Sequence, residues 1–447
     1  MTSISNYAFY NCTSLNAVYI TDLSKWCGIV FGNSYSSPLY YAHNLYINGV
    51  LATDITIPDS VTSIGYWAFC GCTSLENVTI PDSVTSIGHW TFYDCTSLTS
   101  VTIPDSVTSI GDSAFYDCTN LEIVTIGNSV TSIGYRAFYG CTNLASINIP
   151  DSVTIIGEYA FSDTAYYNDD TNWDENGALY IGNHLISADS DILSGNYTVK
   201  DGTKTIGSRA FYNCTSLASV AIPDSVTSID YRAFYNCTSL SSVIMGNSIT
   251  SIGDCAFSGC TSLESIVIPD SVTSIGSYAF YDCTSLASIV IPDSVTSIDY
   301  RAFYDCTSLT SVTIPDSITI IDEYMFYDCT SLESIVIPDS VTSIGWRAFE
   351  NCTSLKTVTF IGTEKEWNSI YVDSGNDCLT GADIIFAPNG VISGDVSGDG
   401  KVDSADLLIM QNIMLGNAEF NEYADFDGNG VLDAVDLLLV QLLLLGY

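Results

Sequence analysis

The chain has 447 residues and a formal net charge of −40, from 51 acidic and 11 basic residues, with 47% of residues apolar. Such a field repels phosphate backbones and anionic membranes, which excludes nucleic acid and lipid surfaces as natural partners. It also suits a secreted protein that must stay soluble with so much apolar content.

Residues 1–15 open in the middle of a motif and carry Phe9 and Cys12. They show no basic segment, apolar core and small-residue cleavage site, so no signal peptide is read, and the expectation is a truncated or trimmed chain. Residues 16–52 interrupt the motif with Lys25-Trp26-Cys27 and an apolar run around Asn48-Gly49, a two-residue hairpin signal.

From there the chain copies one 23-residue unit, as in IPDSVTSIGHWTFYDCTSLTSVT at residues 80–102. Its phenylalanines are Phe69, Phe92, Phe115, Phe138 and Phe161, then Phe211, Phe234, Phe257, Phe280, Phe303, Phe326 and Phe349. A fixed period of this length reads as a solenoid of stacked coils. Leu98 to Ile103 alternates at its end and predicts a short strand pairing with its copies. Pro81-Asp82-Ser83 predicts a turn. A second extended piece over residues 84–87, a bend at Gly88, and a turn or short helix that inserts Phe92 between coils complete the unit. Thirteen coils at ~4.8 Å would make a body on the order of 60 Å long.

Twelve of the 16 cysteines follow a repeat phenylalanine by three residues: Cys12, Cys72, Cys95, Cys118, Cys141, Cys214, Cys237, Cys260, Cys283, Cys306, Cys329 and Cys352. Thr164 takes the place once. Strand spacing exceeds the ~3.5–4.5 Å between Cβ atoms that a disulfide needs, so a buried ladder of free thiols is expected. Cys27, Cys70, Cys255 and Cys378 lie off it. The aspartates of the Pro-Asp-Ser turns form another column, for which turn formation suffices, since two coils carry Gly127-Asn128 and Gly246-Asn247 instead.

The two residues before Ala-Phe refuse to repeat, and they are rich in Tyr, Trp and Arg: Tyr66, Trp67, Trp90, Tyr135, Arg136, Tyr159, Arg209, Tyr231, Arg232, Tyr278, Tyr300, Arg301, Tyr324, Trp346 and Arg347. They are expected to form an exposed ligand stripe or, more plainly, large side chains packed along a column. Residues 162–203 interrupt the beat again, rich in Tyr, Asn and Asp, and read as a looped-out hairpin ending near Gly182 that serves either binding or plain connection. Residues 356–387 lose the phrase and read as a capping coil.

The unit resembles the BspA-like bacterial leucine-rich repeats, which carry the same IPDSVTSIGxxAFxxCTSLxSV phrase. The resemblance covers roughly residues 1–387 and implies a leucine-rich-repeat solenoid of short stacked β-strands with turns and short helices. It also implies a secreted or surface-exposed binding protein.

After a short linker at 388–393 the sequence changes character. Asp395, Ser397, Asp399, Lys401 (through its carbonyl), Asp403 and Asp406 have calcium-loop spacing, with Gly400 sixth and a carboxylate twelfth. Asp425, Asp427, Asn429, Val431 (through its carbonyl), Asp433 and Asp436 repeat it thirty residues on. Each loop runs into an apolar helical segment, 407–415 and 437–445, too short to span a bilayer. The duplication and the Asp in twelfth place resemble a type I dockerin over residues 394–447. That resemblance implies a small α-helical module with two EF-hand-like loops, two calcium ions, and docking onto a cohesin module of a scaffoldin. The cohesin-reading positions transfer to Ser404, Ala405, Gln411 and Asn412, and to Ala434, Val435, Gln441 and Leu442. The family's familiar Ser-Thr and Lys-Arg choices are absent there, and the two copies differ, which leaves the cohesin class open.

The three histidines, His43, His89 and His184, are scattered, and no triad, metal or phosphate-loop spacing occurs. The expected function is therefore that of a non-catalytic, extracellular, cellulosome-attached protein whose solenoid binds a protein or cell surface. A polysaccharide ligand and a glycoside hydrolase built on paired carboxylates are the alternatives.

Overall fold

A computed structural model describes residues 1–387 together with residues 409, 410, 413 and 414. The chain divides into two units, Met1–Thr307 and Ser308–Tyr447.

In the first unit each 23-residue copy makes one coil with two ladders. Asn77–Thr79, Ser100–Ile103 and Ile123–Ile126 pair in parallel, Val78 beside Val101 and Val101 beside Val124. Val101 and Ile103 point into the core while Thr102 points out, which is the alternation the sequence carries. The second ladder joins Ser86–Ile87, Ser109–Ile110 and Ser132–Ile133. Between the ladders Val84 N–H closes the turn onto the Pro81 carbonyl at 3.1 Å.

The Ser and Thr of each unit repeat because their hydroxyls end on the preceding coil. Ser106 donates to the Val84 carbonyl at 2.7 Å, and Thr108 donates to the Thr85 carbonyl at 3.3 Å. The phenylalanines form the spine: the rings of Phe92, Phe115 and Phe138 are fully buried and stack with centroids 5.2 Å apart. Beside them runs the thiol ladder, in which Cys118 donates to the Phe92 carbonyl at 3.1 Å and Cys141 to that of Phe115 at 3.2 Å. None of the 16 cysteines is in a disulfide. Cys12 departs from the expected buried ladder: it is exposed, in a coil that no other described coil precedes.

The segment around each phenylalanine is turn throughout, not a short helix. It enters the left-handed region twice per coil, for example at Trp90 and Asp94, both at φ 56°. The second site explains why Asp, Asn or Gly precedes every cysteine of the ladder, since these residues tolerate that conformation. Helices occur in the first insertion instead, at Leu23–Cys27 and Leu39–Ala42. There the predicted hairpin forms from Leu45–Ile47 and Val50–Leu51, with Asn48 at φ 52° and Gly49 at φ 84°.

The second insertion is not looped out. Ala178–Ile181 is buried and pairs antiparallel with His184–Ala188, turning at Gly182-Asn183. His184 and Leu185 then pair in parallel with Thr205 and Ile206, so the hairpin starts a new ladder. The earlier ladder ends at Ile155–Ile156, whose backbone is satisfied by side chains of later coils. Ser228 Oγ donates to the Thr154 carbonyl at 2.6 Å, and Ile156 N–H donates to the Asp230 carboxylate at 2.9 Å. Two stacks meet here.

In the second unit Ser311–Thr313, Ser334–Pro338, Thr357–Ile361 and Asp383–Phe386 form one parallel ladder. Ile320–Ile321, Ser343–Ile344 and Tyr371–Val372 form another. Residues 356–387 thus continue the coil pattern, with short helices at Glu364–Trp367 and Asp377–Thr380.

Candidate binding surface

The variable pair before Ala-Phe lies on the turn segment of each coil. Its second residue sits in the left-handed region: Trp67 at φ 63°, Arg136 at 52°, Tyr159 at 58°, Arg209 at 59°, Arg232 at 56°, Tyr278 at 57°, Arg301 at 58°, Tyr324 at 55° and Arg347 at 55°. Bulky residues without a short polar side chain are disfavoured there by roughly 1–2 kcal/mol. Their recurrence in a repeat that uses Asp, Asn and Gly at its other left-handed site points to a role other than turn formation.

The expected exposed stripe is only partly exposed. Tyr66, Tyr135, Tyr159, Tyr231 and Trp346 stand out into solvent, whereas Trp67, Trp90, Arg136, Arg209, Arg232, Tyr278, Tyr300, Arg301, Tyr324 and Arg347 are half-buried. The cause is packing against the neighbouring coils. The indoles of Trp67 and Trp90 stack 4.5 Å apart, nearly parallel. The Arg136 guanidinium lies 4.9 Å from the Tyr135 ring, 5.2 Å from Tyr139 and 5.5 Å from Tyr159. Arg232 lies 4.9 Å from Tyr231 and 5.0 Å from Tyr235, and Arg301 lies 4.7 Å from Tyr300. In the second unit Arg347 lies 4.6 Å from Trp346, which meets Tyr324 edge-on at 5.0 Å.

All five arginines of the chain (Arg136, Arg209, Arg232, Arg301, Arg347) occupy this one position of the repeat. In Arg136, Arg209 and Arg232 the Nε atom is buried with no hydrogen-bond partner, and aromatic faces hold the guanidinium. A second column was missed by the sequence reading: the tyrosine directly after most repeat phenylalanines. Tyr93, Tyr116 and Tyr139 stack at 4.9 and 5.0 Å, and Tyr212 and Tyr235 at 5.3 Å. The recurring Phe-Tyr dipeptide was visible, but its constancy made it look like framework. Burial pushes the Tyr93 hydroxyl up to about 12, so it remains a donor at physiological pH.

The expected ligands from Asp395 to Asp436 and the docking positions Ser404, Ala405, Gln411, Asn412, Ala434, Val435, Gln441 and Leu442 lie outside the described residues. Among the described residues no group of three or more His, Cys, Asp or Glu is placed to hold a metal ion.

The profile of the BspA-type leucine-rich repeat region matches in six copies, over residues 1–37, 42–168, 192–269 and 251–374, and that of the type I dockerin domain matches residues 393–445. The chain belongs to the BspA-type leucine-rich repeat family and carries a C-terminal type I dockerin domain. No curated protein matches it. Among solved structures it is similar to a leucine-rich cell surface protein of Faecalibacterium prausnitzii, at 31% identity over 80% of this chain and 86% of that one, TM-score 0.29. It is also similar to a leucine-rich repeat protein of Bacteroides ovatus, at 29% identity over 74% and 82%, TM-score 0.32. A third similarity is to a leucine-rich repeat protein of Eubacterium ventriosum, at 25% identity over 67% and 90%, TM-score 0.37.

Type I dockerin domains bind calcium, and their presence implies cohesin binding and cellulosome-type assembly; leucine-rich repeats imply protein interaction. Neither family is typically catalytic, and no enzyme domain is found beside them. Dockerin proteins are usually extracellular or cellulosome-associated. Among the described residues no helix is long and apolar enough to cross a membrane.

Proposed function

We propose that this chain is a non-catalytic secreted binding protein, held on a cellulosome scaffoldin by calcium-dependent docking, whose solenoid recognises a protein or cell-surface ligand. In this reading residues 1–387 are the recognition domain, 388–393 the linker and 394–447 the dockerin. Two calcium ions are held by the loops starting at Asp395 and Asp425, and the cohesin is read by Ser404, Ala405, Gln411 and Asn412 with their counterparts Ala434, Val435, Gln441 and Leu442.

The observation that carries the solenoid's role is the confinement of every arginine to one left-handed position between aromatic rings. Tyr, Trp and Arg are the residues that dominate protein interfaces. A polysaccharide would need open ring faces, and in Trp67, Trp90 and the tyrosine column those faces are largely covered by the next coil.

The test uses the whole chain in two arms. Immobilised cohesins of several classes, with calcium and with chelator, should retain it only with calcium. A glycan array and a reducing-sugar assay should give no retention and no sugar release; glycan retention would replace the protein-ligand reading by the polysaccharide one.

A further inference from the structure

The tyrosine column after the repeat phenylalanine is interrupted at Cys70, Ser162 and Ser258 and ends at Glu350, which follows Phe349. At the first gap the chain's own insertion supplies a tyrosine. The helix Leu39–Ala42 packs on Gly71, bringing Tyr40 beside Cys70. Tyr167 shares with Ser162 a cavity of about 170 Å³. At Ser258 no insertion is present in the sequence, and a cleft of about 490 Å³ opens there.

Its walls are Tyr235 and Tyr281, one coil to either side, and its floor is Ser258 and Cys255. Neighbouring rings of this column stand 5.3 Å apart at Tyr212–Tyr235 and 5.1 Å apart at Tyr281–Tyr304. Two coil steps therefore separate the walls by about 10 Å, which leaves about 5 Å on each side of a single inserted ring, within the range for stacked aromatics. The lining also holds Arg232, Arg301 and Asp254. It thus carries two cations against one carboxylate, with Asp282 and Asp305 further along beside Tyr281, in a chain whose total charge is −40.

We infer that this slot takes one aromatic side chain of the protein partner, flanked by an acidic residue, the ring entering between Tyr235 and Tyr281 and the carboxylate meeting Arg232 or Arg301. The inference rests on the reading of the stripe as a protein-binding face and names where its anchor sits. The guest replaces the tyrosine that this coil lacks, as Tyr40 does at Cys70. The ring contributes buried area and the arginines contribute orientation.

The test is ligand-observed saturation-transfer NMR on the full-length chain with N-acetyl-aspartyl-tyrosinamide as probe and N-acetyl-leucinamide and cellobiose as comparators. The probe should bind weakly, with Kd on the order of 1 mM, and the comparators should not. Ser258→Tyr restores the residue of the other coils, so it should keep or raise the melting temperature while weakening the probe at least tenfold. Ser258→Ala should leave the slot open and the affinity unchanged. Lys25→Ala, at an exposed position of the first insertion, should also leave it unchanged. Equal binding by Ser258→Tyr, an equal signal from either comparator, or no probe signal from the unaltered chain overturns the slot. None of those results touches the broader stripe reading, which falls only if the array retains the chain on glycans.

Discussion

Arg209 donates from its guanidinium to the Tyr159 hydroxyl at 2.6 Å, across 50 residues of sequence, and pairs with Glu158 at 3.0 Å. Tyr159 belongs to the last coil of one stack and Arg209 to a coil of the next. The strand ladders break between them, but the guanidinium lies 5.3 Å from the Tyr159 ring and 4.4 Å from Tyr212. The aromatic–arginine surface therefore runs over a junction at which the backbone pairing stops.

Loss of that contact should be felt in stability. The charged ends of Arg209 and Glu158 are mostly buried, with side chains 18% and 13% exposed. Arg209→Met leaves the carboxylate and the tyrosine hydroxyl without their partner, and should cost roughly 1–3 kcal/mol. Arg209→Lys keeps the charge but not the flat face on Tyr212, and should fall between. Denaturant unfolding measures both; an unchanged midpoint in Arg209→Met would make the contact incidental.

The same junction should make stability depend on pH. Burial pushes the Asp230 carboxyl up to about 7, against the opposing pull of the hydrogen bond from Ile156 N–H. The folded protein thus holds this proton more tightly than the unfolded chain, whose carboxyl titrates near 3.8. The resulting stabilisation is complete below about pH 4 and is lost as pH rises through about 7, by up to about 1.4 kcal/mol per pH unit. Asp230→Asn keeps an acceptor for Ile156 N–H and should flatten this dependence. Melting temperatures at pH 5 and pH 8 decide it: the drop should be smaller in the variant.

Features written within one unit could be read from sequence. The alternation around Val101 and Ile103, the turn at Pro81-Asp82 and the hairpin at Asn48-Gly49 each depend on neighbours a few residues away. The junction could not be read, because the partners of Ile156 and Thr154 are Asp230 and Ser228, 74 residues later. The depth of the stripe was hidden for a different reason. No propensity marks Arg136 or Trp67 as left-handed, and only the stacked coils show that their side chains lie between rings.

Those left-handed positions predict an uneven tolerance to substitution. At Arg136 the conformational cost of roughly 1–2 kcal/mol is opposed by cation–π contacts worth about 0.5–1 kcal/mol. Arg136→Asn, which relieves the first and loses the second, should lie within about 1 kcal/mol of the parent. Arg136→Val loses the contacts and worsens the strain, and should be less stable than Asn by at least ~1 kcal/mol. Paired urea titrations measure the difference; equal stability of Asn and Val would remove the argument that strain is retained there for recognition.

The thiols should react in a definite order. A thiolate is the attacking species. Burial pushes Cys27 up to about 12 and raises Cys95, Cys118 and Cys260 well above the ordinary thiol value. Among the 16 cysteines, Cys12 is exposed, and Cys255 and Cys378 are partly so. An aromatic disulfide reagent should label Cys12 quickly, Cys255 and Cys378 slowly, and the rest only on unfolding. Fast labelling of more than three thiols in the native protein would contradict the buried ladder.

Calcium should act on one end of the chain alone. In the proposed reading the stretches starting at Asp395 and Asp425 each carry several carboxylates, whose repulsion an ion would neutralise, so binding and folding of that module should be coupled. The solenoid differs, because its hydroxyls and thiols end on its own coils, as Ser106 does on Val84 and Cys118 on Phe92. Calorimetric titration of the chelated full-length chain should find about two ions, and Asp395→Ala and Asp425→Ala should each remove about one. Chelation should abolish cohesin retention while the main thermal transition moves by no more than about 2 °C, since ligand linkage acts only on the part that binds. A large shift of that transition on chelation would place calcium in the solenoid as well.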